Sequence, residues 1–158
     1  MKLLISFCLV CLPLKHLKIN SDYGYRVHPL TGRYALHAGV DFKARHDTVF
    51  AILNGRVAHV GFDDYLGINI RLVHGRVESV YGHLSQTFVG PLDSVSAGDP
   101  IGVTGATGRV TGEHLHFSIY YRHKSINPIK FLYELLIKQE NEQKFQTIAG
   151  TAFRQAGR

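Results

Sequence analysis

The sequence predicts a mainly β fold of antiparallel strands with a single helix at the C-terminal end, and two observations carry that expectation. Strand-like runs at 48–53, 56–60, 68–74, 77–82, 101–104 and 115–121 are separated by turns rich in Gly and Asp. After Asn127-Pro128, by contrast, Ile129, Leu132, Leu135 and Leu136 recur at helical spacing. At 158 residues the chain has a single-domain length and can bury a sizeable core. It contains no internal repeat and no low-complexity segment.

Along the chain, Lys2 and the apolar stretch from Leu3 to Leu14 read as a signal-like segment. That stretch is short for a bilayer span, which takes roughly 20 residues. Residues 1–14 are therefore set apart from a domain at 15–138, and residues 139–158 read as a polar, solvated C-terminal tail. Export to the periplasm or cell envelope is the expectation, with no membrane span in the mature domain. Cys8 and Cys11 fall inside the apolar stretch. Lipid attachment at Cys11 is a secondary reading, weakened by Val10 in front of it where a small residue is wanted. A redox CxxC pair fits less well, because the two cysteines do not open a helix.

Within the domain, the run TGEHLHFSIY alternates. Leu115, Phe117, Ile119 and Tyr121 are apolar, whereas His114, His116, Ser118 and Tyr120 carry polar atoms. Alternation argues for a half-buried strand, on which residues two apart face the same side roughly 6–7 Å from each other. His114 and His116 thus point together into the space above one sheet face. Histidines on a wet sheet face need no function, so the pair alone decides little.

Upstream, LHAGVDF puts His37 four residues before Asp41. Gly39 between them favours a loop entering a strand, and a turn there lets both side chains converge. Catalytic zinc sites use three nitrogen or oxygen ligands and keep one position open. His37, Asp41 and one of His114 and His116 would supply such a set. The other histidine of the pair, and His83 in VYGHLS, remain as spare imidazoles, whose unperturbed pKa suits general base catalysis near neutrality.

The segments SDYGYRVHPLTGR (21–33), LHAGVDF (36–42), VYGHLS (80–85) and GATGRVTGEHLHF (105–117) resemble, in order and spacing, the lysostaphin/LytM-type zinc metallopeptidases, a family of peptidoglycan endopeptidases. The resemblance runs from about Asn20 to Leu136. It implies a sandwich-like or barrel-like β domain whose groove holds one zinc ion. It further implies that His37, Asp41 and His116 are the metal ligands, and that His83 and His114 are the two histidines flanking the water and the scissile carbonyl. His114 is then the expected base, while His83 either hydrogen-bonds the oxyanion or protonates the leaving amine. The activity implied is hydrolysis of peptide cross-links in bacterial peptidoglycan by a metal-activated water, with the stem peptides as partner and a monomer as the working unit. A D-Ala–diaminopimelate bond is favoured over glycine-containing bridges, because no module for targeting a thick wall is recognisable.

Two positions depart from the family pattern. Ile68 stands where Asn often follows the Gly opening the central strand, and Ser118 stands where Glu is common. Neither removes a ligand, but both bear on contacts beside the groove. A competing reading is a non-catalytic regulator of the same fold that binds and activates a cell wall amidase. Such proteins lose zinc ligands, and this chain keeps all five positions. A third, the sugar phosphotransferase carrier domains, needs no metal and no Asp41.

Other features carry less. Gly102, Gly105, Gly108 and Gly112 suggest a phosphate loop, yet no GK[ST] follows and no helix begins there. His28, His46, His59, His74 and His123 read as solvated or structural, and Tyr25 and Tyr34 as packing residues rather than oxyanion donors. The formal charge of +6 is spread along the chain, so no nucleic acid is expected, and a carboxylate-bearing wall polymer suits it as well.

Overall fold

The computed structural model describes residues 10–27 and 31–156, those from 145 onward by their backbone alone. The strands are β1 (Ile19–Ser21), β2 (Gly24–Val27), β3 (Tyr34–His37), β4 (Val40–Lys43), β5 (Thr48–Phe50), β6 (Gly55–Asp63), β7 (Gly67–His74), β8 (Val77–Thr87), β9 (Ser94–Val95), β10 (Pro100–Thr104), β11 (His114–Tyr121) and β12 (Lys124–Ile126). Helix α1 (Pro128–Ala156) follows. The mainly antiparallel β architecture with one C-terminal helix is as the sequence predicts. One sheet runs in the order β1-β4-β11-β8-β7-β6-β9, with β10 on β5 and β8 and β12 on β11, while β2 and β3 pair separately. Strand β8 changes partner along one edge: Val77–Gly82 pair with β11, and Leu84–Thr87 with β10.

The period of two in the histidine strand sorts its side chains as alternation predicts. Leu115, Phe117 and Ile119 are fully buried with Phe42, Ile70, Leu72, Tyr81 and Leu84. The Phe117 ring lies 6.2 Å from Phe42 and 5.3 Å from Tyr81, centroid to centroid. Aromatic pairs in this range contribute about 0.5–1.5 kcal/mol each beyond area burial. The opposite face, bearing His114, His116 and Ser118, is the floor of a groove.

One polar chain crosses the core. The Ile52 N–H donates to the Tyr81 hydroxyl at 3.2 Å, and that oxygen lies 3.2 Å from Ser79 Oγ. His74 Nε2 is 2.8 Å from Ser79 Oγ, and its Nδ1 donates to the Asn54 carbonyl at 2.9 Å. A carbonyl only accepts, so Nδ1 carries the imidazole proton, Ser79 donates to Nε2 and Tyr81 donates to Ser79. Every polar side-chain group of this crossing is thereby satisfied. Burial lowers the pKa of His74 and raises that of Tyr81, which keeps both neutral.

Two boundaries differ from the sequence expectation. Leu14 belongs to the core, the Cys11 N–H donates to the Ile52 carbonyl at 2.9 Å, and the Phe50 N–H donates to the Pro13 carbonyl at 3.0 Å. The end of the apolar stretch therefore packs with the domain; hydrophobicity alone reads the same for a leader and for a buried strap. Residues 1–9, Cys8 among them, lie outside the described residues, as does His28. At the other end, α1 runs through the expected tail to Ala156. Its start is fixed by Asn127, whose Oδ1 accepts from the Ile129 and Lys130 N–H groups at 2.9 and 3.2 Å, with Pro128 in the first helical position. Residues 138–144 of its continuation are all polar, with Lys138–Glu142 at 4.0 Å and Glu140–Lys144 at 2.8 Å, pairs four apart that support a helix. No helix among the described residues is long and apolar enough to cross a membrane.

Candidate metal centre

Strand pairing brings the candidate residues together. His37 ends β3, the chain turns at Ala38-Gly39, and β4 then pairs with β11 so that Asp41 lies directly opposite His116. On the far side of β11, His116 faces Gly82, where a Cβ would lie 3.1 Å from Leu66 Cδ2. The turn has to be tight, because a Cβ on Gly39 would sit 2.6 Å from His116 Cε1, His116 Nε2 and Ser118 Oγ. Only glycine allows the β3–β4 corner to close over the imidazole.

His37 Nε2 is 3.3 Å from Asp41 Oδ1 and 3.3 Å from His116 Nδ1, and His116 Nδ1 is 2.9 Å from Asp41 Oδ1. A tetrahedral zinc with bonds of about 2.0 Å has ligand atoms about 3.3 Å apart, so the triangle has the right edge. Its chemistry fits as well. His37 Nδ1 lies 2.8 Å from the Asp22 carbonyl, which only accepts; Nδ1 therefore holds the proton and Nε2 turns a lone pair inward. His116 Nε2 lies 2.9 Å from Ser118 Oγ, leaving Nδ1 to face the site. Burial works against ionising Asp41, but the His116 and His37 rings at its Oδ1 more than offset it and hold the carboxyl below the usual range. Burial also lowers His116, against the pull of Asp41. An ionised carboxylate beside the His116 ring, which burial keeps from protonating, calls for a cation.

The two remaining histidines flank this cluster. His114 Nδ1 donates to the Gly112 carbonyl at 2.8 Å, and its Nε2 is 3.5 Å from Asp41 Oδ1. His83 Nδ1 donates to the Thr107 carbonyl at 2.9 Å. Its ring centroid is 4.7 Å from that of His114 and 5.8 Å from that of His116. A β-bulge aims it: β8 pairs Tyr81 with Ile70 but Leu84 with Ile68, and His83 takes φ 62° where the extra residue is absorbed. Burial pushes the His83 pKa down to about 4; its bond to Thr107 opposes this, and the neighbouring His114 and His116 add to it. All five predicted residues thus line one groove of about 640 Å³.

Residues not singled out in the sequence shape this groove. Arg26, on the inner face of the β2–β3 hairpin, has Nη2 3.8 Å from Asp41 Oδ2 and a buried Nε without a hydrogen-bond partner. The loop 106–113 and the turn 63–67 meet at another glycine contact, where a Cβ on Gly67 would lie 2.3 Å from the Thr107 carbonyl carbon. Thr107 Oγ1 accepts from the Ile68 N–H at 3.0 Å and donates to the Leu84 carbonyl at 2.7 Å. Tyr25 and Tyr34 lie on the outer face of the hairpin, 68% and 72% exposed, their rings stacked at 5.7 Å. They neither pack in the core nor reach the groove.

Residues 35–128 match the family model described as peptidase family M23. The chain is 36% identical over 119 residues to the DD-carboxypeptidase/endopeptidase Mpg of Neisseria meningitidis serogroup B, covering 74% of this chain and 27% of that protein. It spans about a quarter of such a relative's length. A zinc-containing peptidase from Vibrio cholerae has a similar structure, with a TM-score of 0.71 and 31% identity, over 76% of this chain and 39% of that one. The catalytic domain of lysostaphin from Staphylococcus simulans gives a TM-score of 0.67 and 31% identity, over 74% of this chain and 92% of that domain.

Proposed function

This chain belongs to peptidase family M23, and on that footing we propose that it is a zinc-dependent endopeptidase of the bacterial cell envelope that hydrolyses peptide cross-links of peptidoglycan. The observation that carries the reading is the triangle of His37 Nε2, Asp41 Oδ1 and His116 Nδ1, with edges of 2.9–3.3 Å and two further imidazoles beside it. These three would hold the zinc. When bound, it supplies a water of lowered pKa and polarises the scissile carbonyl.

The chain's own residues do the rest. His114, with its proton fixed on Nδ1 by the Gly112 carbonyl, offers the lone pair of Nε2 as the base that takes a proton from the attacking water. His83 is held in the same tautomer by Thr107 and kept neutral by burial. In that form its Nε2 has no proton to give an oxyanion. As the C–N bond breaks, it receives the proton that His114 took from the water and hands it to the leaving amine, the second of the roles the sequence leaves open. Arg26 stays paired with the outer oxygen of Asp41 and holds the carboxylate in place.

Metal analysis and digestion of purified peptidoglycan with His37→Ala and His114→Ala test this. His37→Ala loses zinc and activity together, whereas His114→Ala keeps zinc and loses turnover by a factor of about 10²–10⁴. Full turnover in zinc-loaded His114→Ala removes the assignment of the base. Stoichiometric zinc in the wild type with intact muropeptides replaces the enzyme with the amidase-regulator reading.

A further inference from the structure

We propose that Arg109, laid against the Tyr65 ring at the mouth of the groove, anchors a free carboxylate of the substrate and so selects peptides that bear a carboxylate, not a neutral amide, on the residue that supplies the leaving amine. The inference rests on the peptidase reading above and concerns the substrate class of the same site.

The charges of the groove point to it. Its lining holds three arginines, Arg26, Arg71 and Arg109, and a single carboxylate, Asp41. Arg71 is matched by Glu78, 3.0 Å away, and Arg26 by Asp41. Arg109 has no carboxylate within ion-pair distance among the described residues. An Arg without an acid, facing a groove that takes a ligand, is matched by an acid on that ligand.

Its placement is fixed. The Arg109 N–H donates to the Tyr65 carbonyl at 3.1 Å, and the guanidinium carbon lies 4.9 Å from the Tyr65 ring centroid. A cation–π contact uses none of the guanidinium's N–H donors, which stay available for the two parallel bonds a carboxylate accepts. The two loops involved are locked by the Gly67–Thr107 contact and the Thr107 hydrogen bonds, so little ordering remains for binding to supply. Arg109 is also two residues from Thr107, whose carbonyl sets the tautomer of His83. The anchor therefore lies on the side where His83 meets the leaving amine. Lysine at 109 would keep the charge without the bidentate edge.

The experiment uses two synthetic cross-linked peptides that differ only in a free carboxylate or a primary amide on the residue supplying the leaving amine. The zinc-loaded full chain is assayed as wild type, Arg109→Gln and Arg109→Lys, and the ratio of kcat/KM between the two peptides is read. The wild type prefers the carboxylate about tenfold or more, as expected for a lost charge-assisted hydrogen bond. Arg109→Gln brings the ratio close to one whatever its absolute rate, and Arg109→Lys retains part of it. A wild-type ratio near one, or an unchanged preference in Arg109→Gln, overturns the anchor alone. Failure of the zinc-loaded wild type to cleave either peptide overturns the peptidase reading and the anchor with it.

Discussion

Replacing Gly39 by alanine is the most pointed perturbation of the site, because it touches neither a ligand nor a base. The new Cβ would lie 2.6 Å from Cε1 and Nε2 of His116 and from Ser118 Oγ. Carbon contacts are comfortable from about 3.5 Å, so the ring or the β3–β4 corner has to yield by about 0.9 Å. Ser118 is buried and both residues are fixed in the sheet by β11, so no flexible end absorbs the overlap. Metal–ligand distances tolerate about 0.2 Å, several times less than the required shift. The expected result is a fall in zinc affinity of about 10–100-fold, with a loss of about 1–3 kcal/mol in the metal-free protein from overpacking. A competition titration against a chromophoric chelator reads the first, and thermal unfolding of the metal-free protein the second. Gly61→Ala is the control: its Cβ meets His59 Nε2 at 2.7 Å, but that ring is exposed and free to swing aside. Wild-type zinc affinity in Gly39→Ala would falsify the placement of His116 as a ligand beneath this corner.

Other perturbations test separate parts of the structure. Ser118→Ala removes the partner of His116 Nε2 and should weaken zinc binding about 10–100-fold in the same titration; an unchanged affinity would mean the hydroxyl does not orient the ring. Burial holds His83 down to about 4 and lowers His74, whereas both take up protons near pH 6.5 once unfolded. The unfolded chain thus binds more protons between those values. Stability is complete above about pH 6.5 and declines as pH falls toward 4, by on the order of 2 kcal/mol at pH 5 from His83 alone. Thermal melts of the metal-free protein at pH 7 and pH 5 measure this, and equal midpoints contradict it. Asn127→Ala uncaps α1 and should cost about 1 kcal/mol, seen as a drop of about 2–4 °C in Tm; an unaltered Tm would show that the cap is redundant.

Much of the site is legible in the sequence because a strand's period of two is local. HLHF by itself places His114 and His116 on one face and Leu115 and Phe117 on the other, and the structure keeps that division. Register between distant strands is not local. Nothing in LHAGVDF announces that Asp41 sits opposite His116, or that Gly39 is glycine because an imidazole lies against it. His83 is visible as a histidine at the end of a strand-like run, but the bulge that turns it inward depends on pairing with β7. Arg26 and Arg109 lie inside segments that read clearly, yet their importance comes from which acids lie beside them, and that is a property of the assembled groove. The helical tail is missed for a different reason: residues 138–144 contain no apolar side chain to mark a period after Ile137, and the charges spaced four apart carry the signal there instead.

The way the imidazoles are tethered has a consequence for how this site can change by mutation. His37, His83 and His114 each give their outer proton to a main-chain carbonyl, those of Asp22, Thr107 and Gly112. No single substitution deletes a carbonyl, so three of the four tautomers are robust to drift at the residues that support them. His116 alone depends on a side chain, Ser118. Position 118 is therefore the one adjustable support in the set, where exchanging a hydroxyl for a carboxylate or a methyl would retune the electron donation of one ring and leave the other three as they are.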